Sequence, residues 1–281
     1  MTMEDVLVQP ENSELGKKSA YDPLYSPKKL FPIPRKGKRE EIGVNPNQLP
    51  FFGFDCWNHY EVSWLNNKGK PIVALAEIVY GCDSPNIIES KSMKLYFNSF
   101  NNTKFKSVGS VEEIIKKDLE KNVGSAVSIK VTPLNEVTAK NITSKLEGES
   151  IDGLSVSCDI YTVDASFLKT EDKTIEETLC SDLLKSNCLV AYQPDWGSVQ
   201  ISYKGKKINR EGLLKYIVSF RNHNEFHEQC IERIFIDIMR MCKPTELAVY
   251  GRYTRRGGLD INPYRSTKTS GSVDNTRLYR Q

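Results

Sequence analysis

From about residue 55 the chain alternates in a readable way. Tyr60, Val62 and Trp64 alternate with polar neighbours, NNKGK (66–70) supplies a glycine-containing turn, and an apolar run follows to Tyr80. This pattern predicts a β-hairpin. Residues 92–100 read as helix, and a second helix is expected over about 111–121, opened by Ser110 with Glu113 three residues on, the signature of a capping box. Val127, Ile129 and Val131 then alternate as a strand, and the polar stretch 135–153 reads as a loop between modules.

The second half repeats the plan. Val199, Ile201 and Tyr203 alternate, YKGKK (203–207) is expected to turn the chain, and helices are expected at about 210–221 and 226–242. In the latter, Cys230, Ile231, Ile234, Phe235 and Ile238 recur at helical spacing and predict a core-facing stripe. Leu247, Val249 and Tyr253 suggest a further strand. Hairpin, two helices and strand, twice over, argue an α+β fold: antiparallel sheets with paired helices on one face. A direct overlay agrees. Shifted by 120 positions, ESKSMKLYFNSFNN (89–102) lies over NREGLLKYIVSFRN (209–222), with Tyr96 on Tyr216 and Ser99-Phe100 on Ser219-Phe220.

Composition narrows the classes. The 281 residues carry 39 Lys plus Arg against 36 Asp plus Glu, so a net charge of +3 makes no global case for nucleic acid or anionic membrane as a partner. The apolar runs are too short for a membrane span, which needs ~20 residues. The first residues, MTMEDVLVQPENSELGKK, are acidic and polar, unlike a secretory signal. Seven cysteines without a Cys-x-x-Cys pair read as reduced thiols in a cytoplasmic protein. Seven of the 13 prolines lie in the first 50 residues among basic side chains, so residues 1–46 read as an extended arm over a domain. Its charges suit a solvated surface, or less readily a nucleic-acid contact.

Four segments carry candidate chemistry. In SNCLVAYQPDWGS (186–198), Cys188 at the start of a strand could act as a nucleophile with Asp195, beyond a proline turn, as proton donor. Equally, Cys188 could be a small buried hydrophobe and Pro-Asp-Trp-Gly a simple turn. In RNHNEFHEQC (221–230), His223, His227 and Cys230 could approach a zinc set, although this is not His-Glu-x-x-His. Alternatively His227 and Glu228 line a pocket, where a carboxylate accepts the paired N–H donors of a guanine-like edge, or are ordinary helix-start polarity. In ESKSMKLYF (89–97), Lys91 and Lys94 with Ser90 and Ser92 suit phosphate binding through charge and free backbone N–H groups, or form an exposed helix face. In RYTRRGGLDINPYR (252–265), fixed positive charge stands beside a Gly-Gly pair that could grip a cofactor phosphate, or close a strand in a turn. No Gly-x-Gly-x-x-Gly occurs, so a dinucleotide would not be held as in a Rossmann fold.

Together these segments closely resemble the NADPH-dependent 7-cyano-7-deazaguanine reductases of queuosine biosynthesis in their long two-module form. The family's Glu-(Ser/Leu)-Lys-(Ser/Ala)-hydrophobic-Lys-(Leu/Tyr)-aromatic motif is met from Glu89 to Tyr96, and its Cys…Gln-Pro-Asp from Cys188 to Asp195. Its Phe-His-Glu is met at 226–228 and its Arg-Gly-Gly at 256–258. The likeness runs from about 47 to 281. It implies tandem tunnelling-fold (T-fold) modules, 47–150 with Glu-Ser-Lys-Ser and 151–281 with the cysteine and His-Glu, one site divided between them, and a homodimer.

The resemblance also implies roles. Cys188 would add to a nitrile to give a thioimide, Asp195 would supply a proton, and His227 would assist proton delivery or orient the ring. Ile88, Glu89, Ser90, His227 and Glu228 would bind a small deazapurine substrate, with no nucleic acid or membrane as direct partner. Ser90, Lys91, Arg256 and Gly257 would contact NADPH, and no metal enters. Two rival readings remain: a zinc-dependent pterin or purine T-fold enzyme, and a non-catalytic purine- or RNA-binding module.

Overall fold

The computed structural model describes residues 24–138, 143, 145–269 and 273–281. Among them the chain divides into two units. The first takes the residues up to 40, 55–139 and 255–260, and the second takes 41–54, 140–254 and 261–281. The sequence expects a boundary near 150; in the structure the units change over near 140, 41–54 joins the second unit and 255–260 the first.

In the first unit the expected hairpin forms from β2 (Phe52–Leu65, whose first three residues belong to the second unit) and β3 (Pro71–Gly81). Its turn is closed by Asn66, whose Oδ1 accepts from Lys68 and Lys70 N–H. β5 (Val127–Pro133) pairs antiparallel with β3, from Ala74 opposite Pro133 to Tyr80 opposite Val127, giving the order β5-β3-β2. Helices α2 (Ser90–Asn98) and α3 (Val108–Val123) bury Met93, Tyr96 and Phe97, and Val111, Ile115, Leu119 and Val123 at three- and four-residue spacing. Residues 24–46 are more structured than a plain arm. They hold a 3-10 turn, strand β1 (Pro32–Pro34) paired antiparallel with β4 (Asn86–Ile88), and helix α1 (Lys36–Glu41). The first 23 residues of that arm lie outside the described residues.

The second unit orders its strands β10-β9-β8-β7-β6, from β6 (Glu149–Ser150), β7 (Thr170–Asn187), β8 (Pro194–Ile208), β9 (Glu246–Tyr253) and β10 (Leu259–Ser266, whose first two residues belong to the first unit). Helices α4 (Arg210–Ser219) and α5 (His227–Cys242) pack on it. The predicted stripe Cys230, Ile231, Ile234, Phe235 and Ile238 is wholly buried.

The repeat seen in the overlay is physical. Tyr96 Oη donates to Asp118 Oδ2 (2.8 Å) and Tyr216 Oη to Asp237 Oδ2 (2.7 Å), each tying the first helix of its pair to the second. Ser99 and Ser219 Oγ donate to the Tyr96 and Tyr216 carbonyls, both at 2.6 Å. Even the N-caps correspond: Glu89 caps α2, and Asn209, its overlay partner, caps α4.

Two local expectations are corrected. YKGKK (203–207) does not turn; it lies inside β8, and the hairpin closes at 188–193 instead. Gly205 serves close packing there, since a Cβ would stand 2.8 Å from Pro244 Cα. The capping box of α3 uses Ser107 and Ser110 rather than Ser110 and Glu113. His223 lies outside α5, before its first turn, in keeping with the helix expected over 226–242.

Candidate active site

The second unit assembles its chemistry at the β7–β8 hairpin. Cys188 directly follows β7 rather than opening a strand, and Pro194 opens β8 rather than a turn. Cys188 N–H donates to the Gln193 carbonyl (2.9 Å) and its own carbonyl accepts from Tyr192 N–H (3.1 Å). These bonds fix the thiol in a tight loop, 6% exposed. Asp195 faces Ser186 across the ladder and is likewise buried.

α5 delivers the other groups. Its first two residues are His227 and Glu228, so Glu228 sits where the helix dipole favours negative charge. His227 Nε2 lies 3.4 Å from Asp195 Oδ2, an ion-pair distance that one proton would convert to a charge-assisted hydrogen bond. Its ring stacks on Tyr253, centroids 3.9 Å apart. Glu228 is 2% exposed with Oε1 fully buried. The structure therefore brings Cys188, Asp195, His227 and Glu228 into one unit. It adds Tyr253, the support under the imidazole, which carries no motif and was not singled out from sequence.

The first unit holds the remaining predicted residues. Ile88 ends β4, buried, and Glu89 caps α2 with its carboxylate accepting from Lys91 and Ser92 N–H, both at 2.7 Å. Those two N–H groups are therefore not free for a phosphate, as the sequence had suggested. Burial raises the Glu89 carboxyl above its usual range despite these donors. Ser90 and Lys91 open the helix beyond the cap.

Arg256 and Gly257 form a turn closed by the Arg256 N–H to the Leu259 carbonyl (2.8 Å). Gly257 has φ +60, and a Cβ there would stand 2.8 Å from Lys94 Cδ. The turn thus lies against the Lys94 side chain of α2, in the same unit as Ser90 and Lys91. Glycine leaves exposed backbone beside cationic side chains, which fits a phosphate-bearing dinucleotide.

One further group resembles a metal site. His223, Glu225 and Cys230 place ligand atoms within 4.8 Å of one another. The cation here is already a side chain, because Arg233 NH2 donates to Glu225 Oε1 (2.6 Å) and Arg233 Nε to Oε2 (3.0 Å). His227, the third zinc ligand considered from sequence, is not in the group.

Comparison with known proteins places this arrangement. Residues 21–131 match a family model described as nitrile reductase, 7-cyano-7-deazaguanine-reductase N-terminal, and residues 194–272 match one described as QueF-like protein. The NADPH-dependent 7-cyano-7-deazaguanine reductase of Legionella pneumophila strain Paris is 63% identical over 270 residues, covering 96% of this chain and 95% of that one. The enzymes of the same name from Cupriavidus metallidurans and Ralstonia nicotianae are 55% and 54% identical over 275 residues. This chain belongs to that nitrile reductase family. Its fold is the tandem T-fold of α+β modules expected from the motifs. The first family match starts at 21, so it takes in much of the stretch read as an arm, while the second starts six residues beyond Cys188.

Proposed function

We propose that this chain catalyses the NADPH-dependent, four-electron reduction of the nitrile of 7-cyano-7-deazaguanine to the primary amine, 7-aminomethyl-7-deazaguanine, in tRNA queuosine biosynthesis. The observation that carries this reading is a buried thiol held at the same hairpin as a buried carboxylic acid, with a histidine and a second carboxylate presented by one helix start.

A nitrile carbon is a poor hydride acceptor, and a covalent intermediate divides the difficulty. Cys188 Sγ, as thiolate, adds to that carbon while a proton passes from Asp195 to the nitrogen, giving a thioimide. NADPH, when bound, supplies a hydride to that carbon and, after replacement, a second. After the first, collapse of the tetrahedral adduct breaks the C–S bond and returns the thiolate to Cys188, leaving an imine. Protons reaching nitrogen through Asp195 and His227 complete the amine, so two hydrides and two protons are consumed per nitrile. Tyr253 holds the imidazole plane, and Glu228 receives the guanine-like N–H pair. Ile88, Glu89 and Ser90 contribute to binding of the deazapurine. Ser90, Lys91, Arg256 and Gly257 hold NADPH, their positive charge matching its phosphates. We place the enzyme in the cytoplasm as a homodimer acting on the free base, with no direct nucleic-acid contact.

Without NADPH, incubation with the nitrile is expected to add the substrate's mass to one thiol, mapped by peptide mass spectrometry to Cys188 and lost in Cys188→Ala. Absence of an adduct in the unaltered protein would overturn the covalent route.

A further inference from the structure

The segment 221–226 precedes α5 and touches both halves of the catalytic set. Asn187 N–H donates to the His223 carbonyl (2.8 Å), and Glu225 N–H donates back to the Asn187 carbonyl (3.1 Å), setting Asn224 opposite Asn187 in a parallel bridge. Asn187 is the residue before Cys188, and Glu225 stands two before His227. Whatever fixes this segment therefore fixes the nucleophile on one side and the His-Glu pair on the other.

We propose that Glu225 is the positioning residue of this site: its carboxylate, clamped by Arg233 and His223, sets the register between the Cys188 loop and the start of α5. The proposal rests on the assignment of Cys188 as nucleophile. Glu225 is 1% exposed, and its carboxylate makes three directional contacts. Oε1 accepts from Arg233 NH2 (2.6 Å), and Oε2 accepts from Arg233 Nε (3.0 Å) and pairs with His223 Nε2 (2.8 Å). Arg233 belongs to the body of α5, so this fork ties the helix to its own lead-in, while His223 ties the lead-in to the bridge with Asn187. Planar two-point pairing fixes orientation as well as distance, which a single ammonium contact does not. Burial alone would push the Glu225 carboxyl up; its partners outweigh it and hold it at about 2, so the clamp stays charged wherever the enzyme works. A second tie acts from β7, where Lys185 Nζ donates to Asn187 Oδ1 (2.6 Å) and to the Arg221 carbonyl (2.5 Å).

The test compares Glu225→Gln with the double variant Glu225→Gln/Arg233→Met in the full-length protein. The single change leaves a half-buried guanidinium without its carboxylate, so it loses stability whatever the role; the double change removes both charges. Two readouts accompany the melting temperature: the rate of nitrile adduct formation at Cys188 without NADPH, and the pH profile of Cys188 alkylation by iodoacetamide. The expected result is that the double variant regains most of the melting temperature, yet both variants form adduct at least tenfold more slowly, with a displaced alkylation profile. A double variant with the unaltered protein's adduct rate and profile would overturn the proposal and leave an ordinary buried ion pair. If both fail to fold, Arg233→Lys, which keeps the charge but not the fork, takes their place with the same outcomes. Failure of the unaltered protein itself to form adduct would instead remove the nucleophile assignment, and the proposal with it.

Discussion

Glu228 shows what a single side chain can decide. It is buried at a helix start, where the helix dipole favours negative charge. Exchanging it for glutamine replaces one acceptor oxygen by a donor that would face the N–H pair of the purine edge. Unmatched buried polar groups cost ~1–3 kcal/mol each, so Glu228→Gln is expected to raise KM for the nitrile about tenfold or more. Steady-state kinetics at saturating NADPH checks this, and an unchanged KM would place the base recognition elsewhere. Cys188, Asp195, His227 and Glu228 could be singled out in the sequence because each sits in a short segment that resembles a family motif, and the structure brings all four into one unit. Tyr253 and the Glu225–Arg233 fork were not. Tyr253 reads as one more apolar strand position, and Arg233 interrupts a hydrophobic stripe with nothing local to name its partner.

Elements divide the same way. Helices α2 to α5 were predictable because their apolar positions recur every three or four residues. β7 went unread because much of TEDKTIEETLCSDLLKSN is polar and solvent-facing, so no alternation marks it. The error at YKGKK has a physical cause: a glycine among lysines suggests a turn, whereas Gly205 is required by the approach of Pro244, a contact between positions far apart in sequence. Gly205→Ala is therefore expected to destabilise the protein by ~1–3 kcal/mol through overpacking. Urea denaturation measures this, and a stability within ~0.5 kcal/mol of the unaltered protein would show that the 243–245 turn yields freely.

At the scale of the whole molecule, the repeat was visible as four identities and is realised as matching Tyr–Asp bonds between helices. The exchange of 41–54 and 255–260 between units was not visible, because nothing local records which unit a segment completes. Global stability should carry one distinctive pH dependence. Burial lowers His59 from 6.5 to about 3, so the folded state keeps it neutral while the unfolded chain takes up a proton below 6.5. Its contribution is complete above pH 6.5 and is lost as pH falls, by up to ~1.4 kcal/mol per unit. Glu225 adds to the loss only below 4.5, its ordinary value, on the way to about 2. Glu89 and Asp237, raised by burial, act in the opposite sense above their ordinary values. Comparison with His59→Leu isolates the histidine: the variant's stability is expected to fall less between pH 6 and 5, as read by denaturant titration. Identical slopes would mean that His59 is protonated in place.

The central claim is a four-electron reduction carried by one thiol. Anaerobic incubation with 7-cyano-7-deazaguanine and NADPH, counting cofactor oxidised per nitrile consumed in the unaltered protein and in Cys188→Ala, tests it most directly. The expected result is two NADPH per nitrile with the amine as product, and no oxidation in the variant. Purine binding without oxidation in either protein would contradict the enzymatic account, and turnover surviving in Cys188→Ala would contradict the covalent one.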